Sequence, residues 1–396
     1  MEILEIAKNV EEEIIEHRRN LHKIPELGLE LPQTSKYIMD TLDEYGIEYE
    51  FYEDISAVVG LIKGGHEGKT LGIRADMDGL PINEETGLPY SSTNENMHAC
   101  GHDGHAAILL GTAKILKSME KDLHGNIKLL FQPGEEYPGG AEPMIKRGAL
   151  ENPKVDGVIG LHEGVIDPTV PKGSIGISYG PLMASMDRFA IEIIGRGGHG
   201  AYPQDTIDSV TTACEIVTAL NDIVSREVKA TEPAVLSVCR IQGGFNQNIL
   251  PDKVELEGTV RATNEDVRRF IARRIEEIAV NIAKAKGAKA KVEYNYKYPA
   301  TINNKEFTEF FYESAKKILP KEKILVLDKP LMGGEDMSFF LNEVPGTYFF
   351  LSNPKLDENP FAHHTSQFDI EESLLHIGTA LFVQTAIDFL NEGGES

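Results

Sequence analysis

Apolar runs and helical patterns alternate through the first half of the chain. Thr70–Ala75, Asn126–Phe131 and Val155–Leu161 are short and rich in Ile, Leu and Val, the pattern of strands covered on both faces. Between the first two, Asp103–Met119 gathers Ala and Leu on one face at helical spacing. Such alternation predicts a mainly parallel sheet covered by helices. The rhythm changes in the middle of the chain. Asp187–Arg196 reads as a strand, Ile207–Val228 as a helix, and Ala234–Ile241 and Lys253–Ala262 as two further strands. Asn264–Lys286 is a helix and Ala290–Tyr296 a last strand, completing the β-α-β-β-α-β order of a ferredoxin-like unit. Two domains follow. Residues 182–293 form an insertion, and 1–181 with 294–396 form the host, which resumes with helix Asn304–Ile318 and ends in helix Ile370–Asn391.

Composition narrows the partners. The 396 residues are 41% hydrophobic and 26% charged, as in globular proteins, with a net charge of −24. Phosphate backbones attract cationic surfaces, so nucleic acid is excluded as a partner. The N-terminal stretch reads as one amphipathic helix and lacks the basic start and apolar core of a signal peptide. No apolar run reaches the roughly 18–20 residues that cross a bilayer, so no membrane partner is expected. Three cysteines, Cys100, Cys214 and Cys239, suit free thiols in a reducing cytoplasm, and Cys214 and Cys239 fall in apolar patterns that predict packed side chains.

Each predicted strand of the host domain runs into ionisable groups: Asp76 and Asp78, then Gln132 with Glu135-Glu136, then His162. Ligands of open α/β sheets bind beyond the carboxyl ends of the strands, so this edge is the candidate site. The segment Met97-His98-Ala99-Cys100-Gly101-His102-Asp103-Gly104-His105 packs three histidines and a thiol into nine residues. A metal site, a Cys–His nucleophile and local structure all fit that segment alone, although a nucleophilic Cys usually takes its His from a distant part of the sequence. Asp103 stands where a carboxylate can cap the following helix or orient a ligand histidine. Adjacent carboxylates such as Glu135 and Glu136 can divide coordination and base chemistry between them. His363-His364, just before the last helix, adds imidazoles. Cys, His and Glu donors suit Zn, Mn, Co or Ni, and more than four of them imply two ions. A rival signal, Gly195-Arg196-Gly197-Gly198-His199-Gly200, has the glycine spacing of a dinucleotide fingerprint. Ala201–Asp205 separates it from the next helix, which removes the helix N-terminus that a pyrophosphate needs.

Longer stretches carry a family likeness: RRNLHKIPELGLE at 18–30, RADMDGLPI at 74–82, HACGHDGH at 98–105, FQPGEEYPGGAEPMIKRGAL at 131–150, GRGGHGAYP at 195–203, GGFNQNILPD at 243–252, GTVRATN at 258–264 and GGEDMSFF at 333–340. In that order they resemble the di-metal aminoacylase/carboxypeptidase-type amidohydrolases, in the branch of hippurate hydrolases, auxin-conjugate amidohydrolases and N-acetyldiaminopimelate deacetylases. The resemblance implies an α/β fold with a phosphorylase/hydrolase-like catalytic domain and a ferredoxin-like lid and dimerisation domain. It implies that Cys100, His102, Glu136, His162 and His364 hold two divalent transition-metal ions, with Glu135 as general base. His199 would reach into the neighbouring subunit's site as an oxyanion donor, and Asn248 and Arg261 would face the substrate. The family's Leu-His-Ser-Pro before the last helix is His363-His364-Thr365-Ser366 here, and the spacing to Phe368 favours His364 as the ligand. Asp76 stands where relatives outside this branch keep a metal-binding histidine, and it is read as a supporting residue. The expected reaction is hydrolysis of N-acyl amino acids by a homodimer or a tetramer of dimers. A metallocarboxypeptidase or dipeptidase acting on short peptides is the alternative. A non-catalytic binding protein is disfavoured because a structural metal site has no use for Glu135.

Overall fold

A computed structural model describes residues 2–355 and 362–391. The chain divides into two compact units, Met1–Leu182 with Ile302–Lys329 and Asp336–Ser396, and Met183–Thr301 with Pro330–Glu335.

The first unit is built on an eight-stranded sheet. Its centre is parallel: His124–Gln132, His66–Asp76, Gly157–Gly164 and Gly346–Ser352 lie side by side in that order. The three apolar runs read from the sequence are the first three of these strands. Gly346–Ser352 carries the same signal, Gly-Thr-Tyr-Phe-Phe-Leu-Ser, and every residue of it is buried. At one edge Glu48–Tyr52 pairs antiparallel with Ala57–Lys63, which pairs antiparallel with His124–Gln132. The outermost strand has no fully buried residue, which is why its sequence shows no core-strand run.

Helices His102–Ser118 and Leu375–Asn391 pack on this sheet and on each other. Gly378 allows the close approach, since a Cβ there would stand 2.9 Å from Ile108, and Gly111 makes room for Ile14 of the N-terminal region, which a Cβ would meet at 2.6 Å. The last helix corrects one expectation. Glu372–Asn391 is long and apolar enough to cross a membrane by length and composition, with a mean hydropathy of 1.4, but 72% of that window is buried inside the fold. It is apolar all round because protein surrounds it. The N-terminal stretch also differs from the single helix expected: it breaks at Val10 into Ile3–Asn9 and Glu11–His22. The second piece is less simply amphipathic than its pattern, because Arg18 and His22 are buried.

The second unit has the ferredoxin-like order. Its antiparallel sheet runs Lys289–Tyr298, Met186–Ile194, Lys253–Ala262, Ala234–Gly243, or 4-1-3-2 in chain order. Helices Ser209–Asp222 and Glu265–Ala285 cover it, with Phe189, Ile191, Ile216, Leu220, Ile271 and Ile275 in the shared core. Asp208 and Asn264 cap the two helices by accepting main-chain N–H groups of their first turns. Cys214 and Cys239 are exposed, against the expectation that they pack. Ala213 and Ile216 face the sheet and turn Cys214 outward, while Cys239 sits at a register slip between Val238 and Arg240 on the outermost strand.

Candidate metal and catalytic site

The site stands at the carboxyl ends of the three central strands, all in the first unit. Asp78, two residues past the end of the His66–Asp76 strand, organises it. One carboxylate oxygen accepts the Glu135 N–H at 2.9 Å and the other the Glu136 N–H at 3.1 Å. Its main-chain carbonyl lies 3.0 Å from His102 Nδ1. That nitrogen therefore donates, and the lone pair falls on Nε2. His102 Nε2 is buried without a hydrogen-bond partner, so its lone pair is open to a cation.

The neighbouring segments follow the same logic. Gly101, at φ +92°, turns the chain so that Cys100 and His102 address one point. His162 Nδ1 donates to the Glu163 carbonyl at 2.8 Å, and its Nε2 stands 3.4 Å from Cys100 Sγ. His364 Nε2 lies 2.8 Å from a Glu136 oxygen. His364 has φ +63°, an unfavourable left-handed backbone for a residue with a side chain, and its N–H is tied to the Ala99 carbonyl at 2.8 Å.

The donor atoms of Cys100, His102 and His162 all lie within 4.8 Å of one another, as do those of Cys100, Glu136 and His364 and those of His102, Glu135 and Glu136. All five residues expected to bind metal thus gather in three overlapping groups, two of which contain Cys100 and the third Glu135. The electrostatics favour cations there. Burial, then the nearby Glu136 and Glu135 carboxylates, pushes the Cys100 thiol well above its ordinary value. Burial holds His162 well below its own, which keeps its imidazole neutral. Burial opposes a charge on His102, but Asp76 and Asp78 overcome it and push its pKa up to about 10. Thiolate, imidazole and carboxylate donors in this number fit two divalent transition ions.

A second layer fixes these groups. His105 joins Asp76 at 2.5 Å through Nδ1 and accepts the Glu163 N–H at 2.9 Å through Nε2. Both of its nitrogens are therefore committed. Asp76 also accepts from Arg74 Nη1 at 2.9 Å, while Arg74 Nη2 donates to Asp336 at 2.8 Å and Nε to Gln132 at 2.8 Å. Asp336 in turn accepts the Gly140 and Ala141 N–H groups, tying down the loop that carries Glu135 and Glu136. Asp103 makes no capping hydrogen bond to its helix and, among the described residues, its side chain makes no hydrogen bond to an expected metal ligand. It pairs with Arg18 Nε at 2.8 Å and His22 Nδ1 at 2.7 Å, and so anchors the N-terminal helix. Asp336 and Arg74 were missed as supports of the site, although both lie in stretches, RADMDGLPI and GGEDMSFF, singled out by resemblance.

A cavity of about 610 Å³ adjoins the cluster, sharing Asp78 and Glu136 with it and lined further by Leu27, Leu29, Leu80 and Tyr137.

His199, Asn248 and Arg261 belong to the second unit. His199 is exposed, and its Nδ1 accepts the Ala201 N–H at 3.1 Å, which leaves the ring proton on Nε2. The Asn248 carbonyl accepts the Gly200 N–H at 2.8 Å, next to the short antiparallel ladder that pairs Ile249 with His199, so Asn248 and His199 are neighbours. Arg261 is half-buried and contacts the Thr259 hydroxyl and the Val260 carbonyl, both neutral. Burial lowers its pKa from the ordinary arginine value. The helix after the Gly195–Gly200 run starts only at Ser209, as the rejection of a dinucleotide site requires.

Comparison with known proteins agrees with this chemistry. Residues 72–388 match "Peptidase family M20/M25/M40". "Thermostable carboxypeptidase 1" of Saccharolobus solfataricus is 38% identical over 99% of this chain and 100% of its own length. "N-acyl-L-amino acid amidohydrolase" of Geobacillus stearothermophilus is 44% identical over 77% of this chain and 82% of its own. A crystal structure from Bacillus subtilis described as a dinuclear metal-binding peptidase superposes with a TM-score of 0.83 at 32% identity, covering 97% of this chain and 99% of that one.

Proposed function

We infer, from a chain that belongs to peptidase family M20/M25/M40 and is a hydrolase of amide bonds, that its reaction is the metal-dependent hydrolysis of N-acyl amino acids. The observation that carries this reading is the pairing of a five-donor cluster with a sixth group, Glu135, whose main chain is held on Asp78. Two divalent ions, when bound, would polarise the scissile carbonyl and acidify water at the site. Glu135 then takes a proton from the water as its oxygen bonds to the carbonyl carbon. The same residue returns that proton to the nitrogen as the C–N bond breaks, releasing an amine and a carboxylic acid. The Nε2–H of His199 supplies a donor for the oxyanion of the tetrahedral intermediate. Asn248 and Arg261 bind the amino-acid carboxylate, for which the Arg261 guanidinium offers a fork.

The apolar cavity beside Glu136 holds the acyl group. An acetyl group would leave most of about 610 Å³ empty, whereas an aromatic acyl group would fill more of it and lose more apolar surface to water. Kinetics on N-acetyl, N-benzoyl and dipeptide substrates of one amino acid test the reading. We expect kcat/KM highest for N-benzoyl. A dipeptide turned over faster than both N-acyl substrates would make the enzyme a dipeptidase or a carboxypeptidase, the latter being the activity named in the Saccharolobus relative.

We place His199 in the site of a second copy of the chain, with the ferredoxin-like unit as lid and dimerisation module. The outermost strand Ala234–Gly243 supports this, since Val235 and Ile241 are exposed on a sheet edge able to pair across a two-fold axis. Mixing inactive His199→Ala chains with inactive Glu135→Gln chains should restore activity after subunit exchange. In trans, one site of each heterodimer lacks both groups and the other is intact. In cis, every site keeps one lesion, so no recovery under demonstrated exchange refutes the shared site.

A further inference from the structure

His363 precedes the proposed ligand His364 but makes a different set of contacts. Its ring is held between two others, 5.2 Å from the centroid of His162 and 4.6 Å from that of Phe368. Its Nε2 accepts the main-chain N–H of Val165 at 3.1 Å. A neutral imidazole that accepts through one nitrogen carries its proton on the other. The proton is therefore on Nδ1, and Nδ1 lies 3.6 Å from Cys100 Sγ, within reach of an N–H···S hydrogen bond. Gly164 makes room for this arrangement, because a Cβ there would stand 2.3 Å from His363 Nε2. With Nε2 engaged by the backbone and Nδ1 protonated, neither nitrogen offers a lone pair to an ion.

We infer that His363 is a positioning residue that donates its Nδ1–H to the Cys100 sulfur, stabilising the thiolate and directing its remaining lone pairs toward the metals. The inference rests on the metal reading above. Its physical motive is the setting of Cys100. The sulfur is buried and grouped with Glu136, where a thiolate needs a compensating donor, and Cys100 belongs to two of the three ligand groups. Hydrogen bonds to metal ligands tune their basicity and fix their orientation, and losing one typically costs about 10–100-fold in metal affinity or activity.

The test uses cobalt-loaded full-length protein and two variants, His363→Phe, which keeps a ring in the slot, and His363→Asn, whose amide can still donate. Removing a donor from a thiolate raises the energy of its lone pairs and moves the sulfur-to-cobalt charge-transfer band to longer wavelength. We expect that red shift in His363→Phe, with cobalt affinity in chelator competition down about 10–100-fold. His363→Asn should stay nearer the wild type in both readouts. An unmoved band and unchanged affinity in His363→Phe would overturn the inference. So would loss of one full equivalent of cobalt from both variants, which would make His363 a ligand. Wild-type protein that takes up no cobalt would instead sink the metal reading, and this inference with it.

Discussion

Glu135→Gln is expected to bind metal and substrate and yet to turn over about 10²–10⁴ times more slowly, the usual worth of a positioned acid–base group. The substitution is nearly isosteric and leaves the Glu135 N–H on Asp78, so the loop keeps its anchor. What it removes is the ability to take a proton from water and return it to the leaving nitrogen. Steady-state kinetics with metal content measured on the same sample separate the two effects. A slow variant with full metal and little change in KM assigns the base, whereas near wild-type turnover removes Glu135 from that role.

The second large effect concerns stability. Arg74 is buried between two carboxylates, Asp76 and Asp336, and its Nε donates to the Gln132 side chain. Arg74→Met should destabilise the protein by about 3–5 kcal/mol, because deleting one partner leaves buried charge uncompensated. Urea unfolding followed by circular dichroism, in chelator so that metal loss adds nothing, measures the cost. A change below about 1 kcal/mol, the ordinary range of an exposed pair, would show that this network does not hold the strand ends.

Much of this organisation was legible in the chain. Buried parallel strands have no solvent-facing side, so Thr70–Ala75 and its two counterparts announce themselves as continuous apolar runs. Their polar endings mark the site by the same contrast. The edge strand Glu48–Tyr52 was not legible, because an edge strand mixes polar and apolar residues for reasons set by its neighbours, whereas its partner Ala57–Lys63 carries a buried apolar run that the pattern of longer runs overshadowed. The Leu375–Asn391 helix was recognised as a helix but not as a core element, since composition cannot say whether protein or lipid surrounds an apolar segment. Exposure of Cys214 and Cys239 also escaped the sequence, because it depends on which face of a helix meets the sheet and on one slipped residue in a strand. Around the site, residue types that bind metal were visible from their clustering. The residues that hold them were not. Arg74 and Asp336 give no sign of that role in the sequence until tertiary contacts bury and pair them, and Asp103, read as a cap or an orienter of a ligand histidine, instead pairs with Arg18.

Metal stoichiometry against turnover tests the central claim most directly. Chelator-stripped protein, confirmed metal-free by elemental analysis, is titrated with Zn, Mn, Co or Ni while hydrolysis of an N-benzoyl amino acid is followed. The account predicts no turnover in the stripped protein and activity that levels off at two ions per chain. Undiminished hydrolysis by the metal-free protein would contradict it.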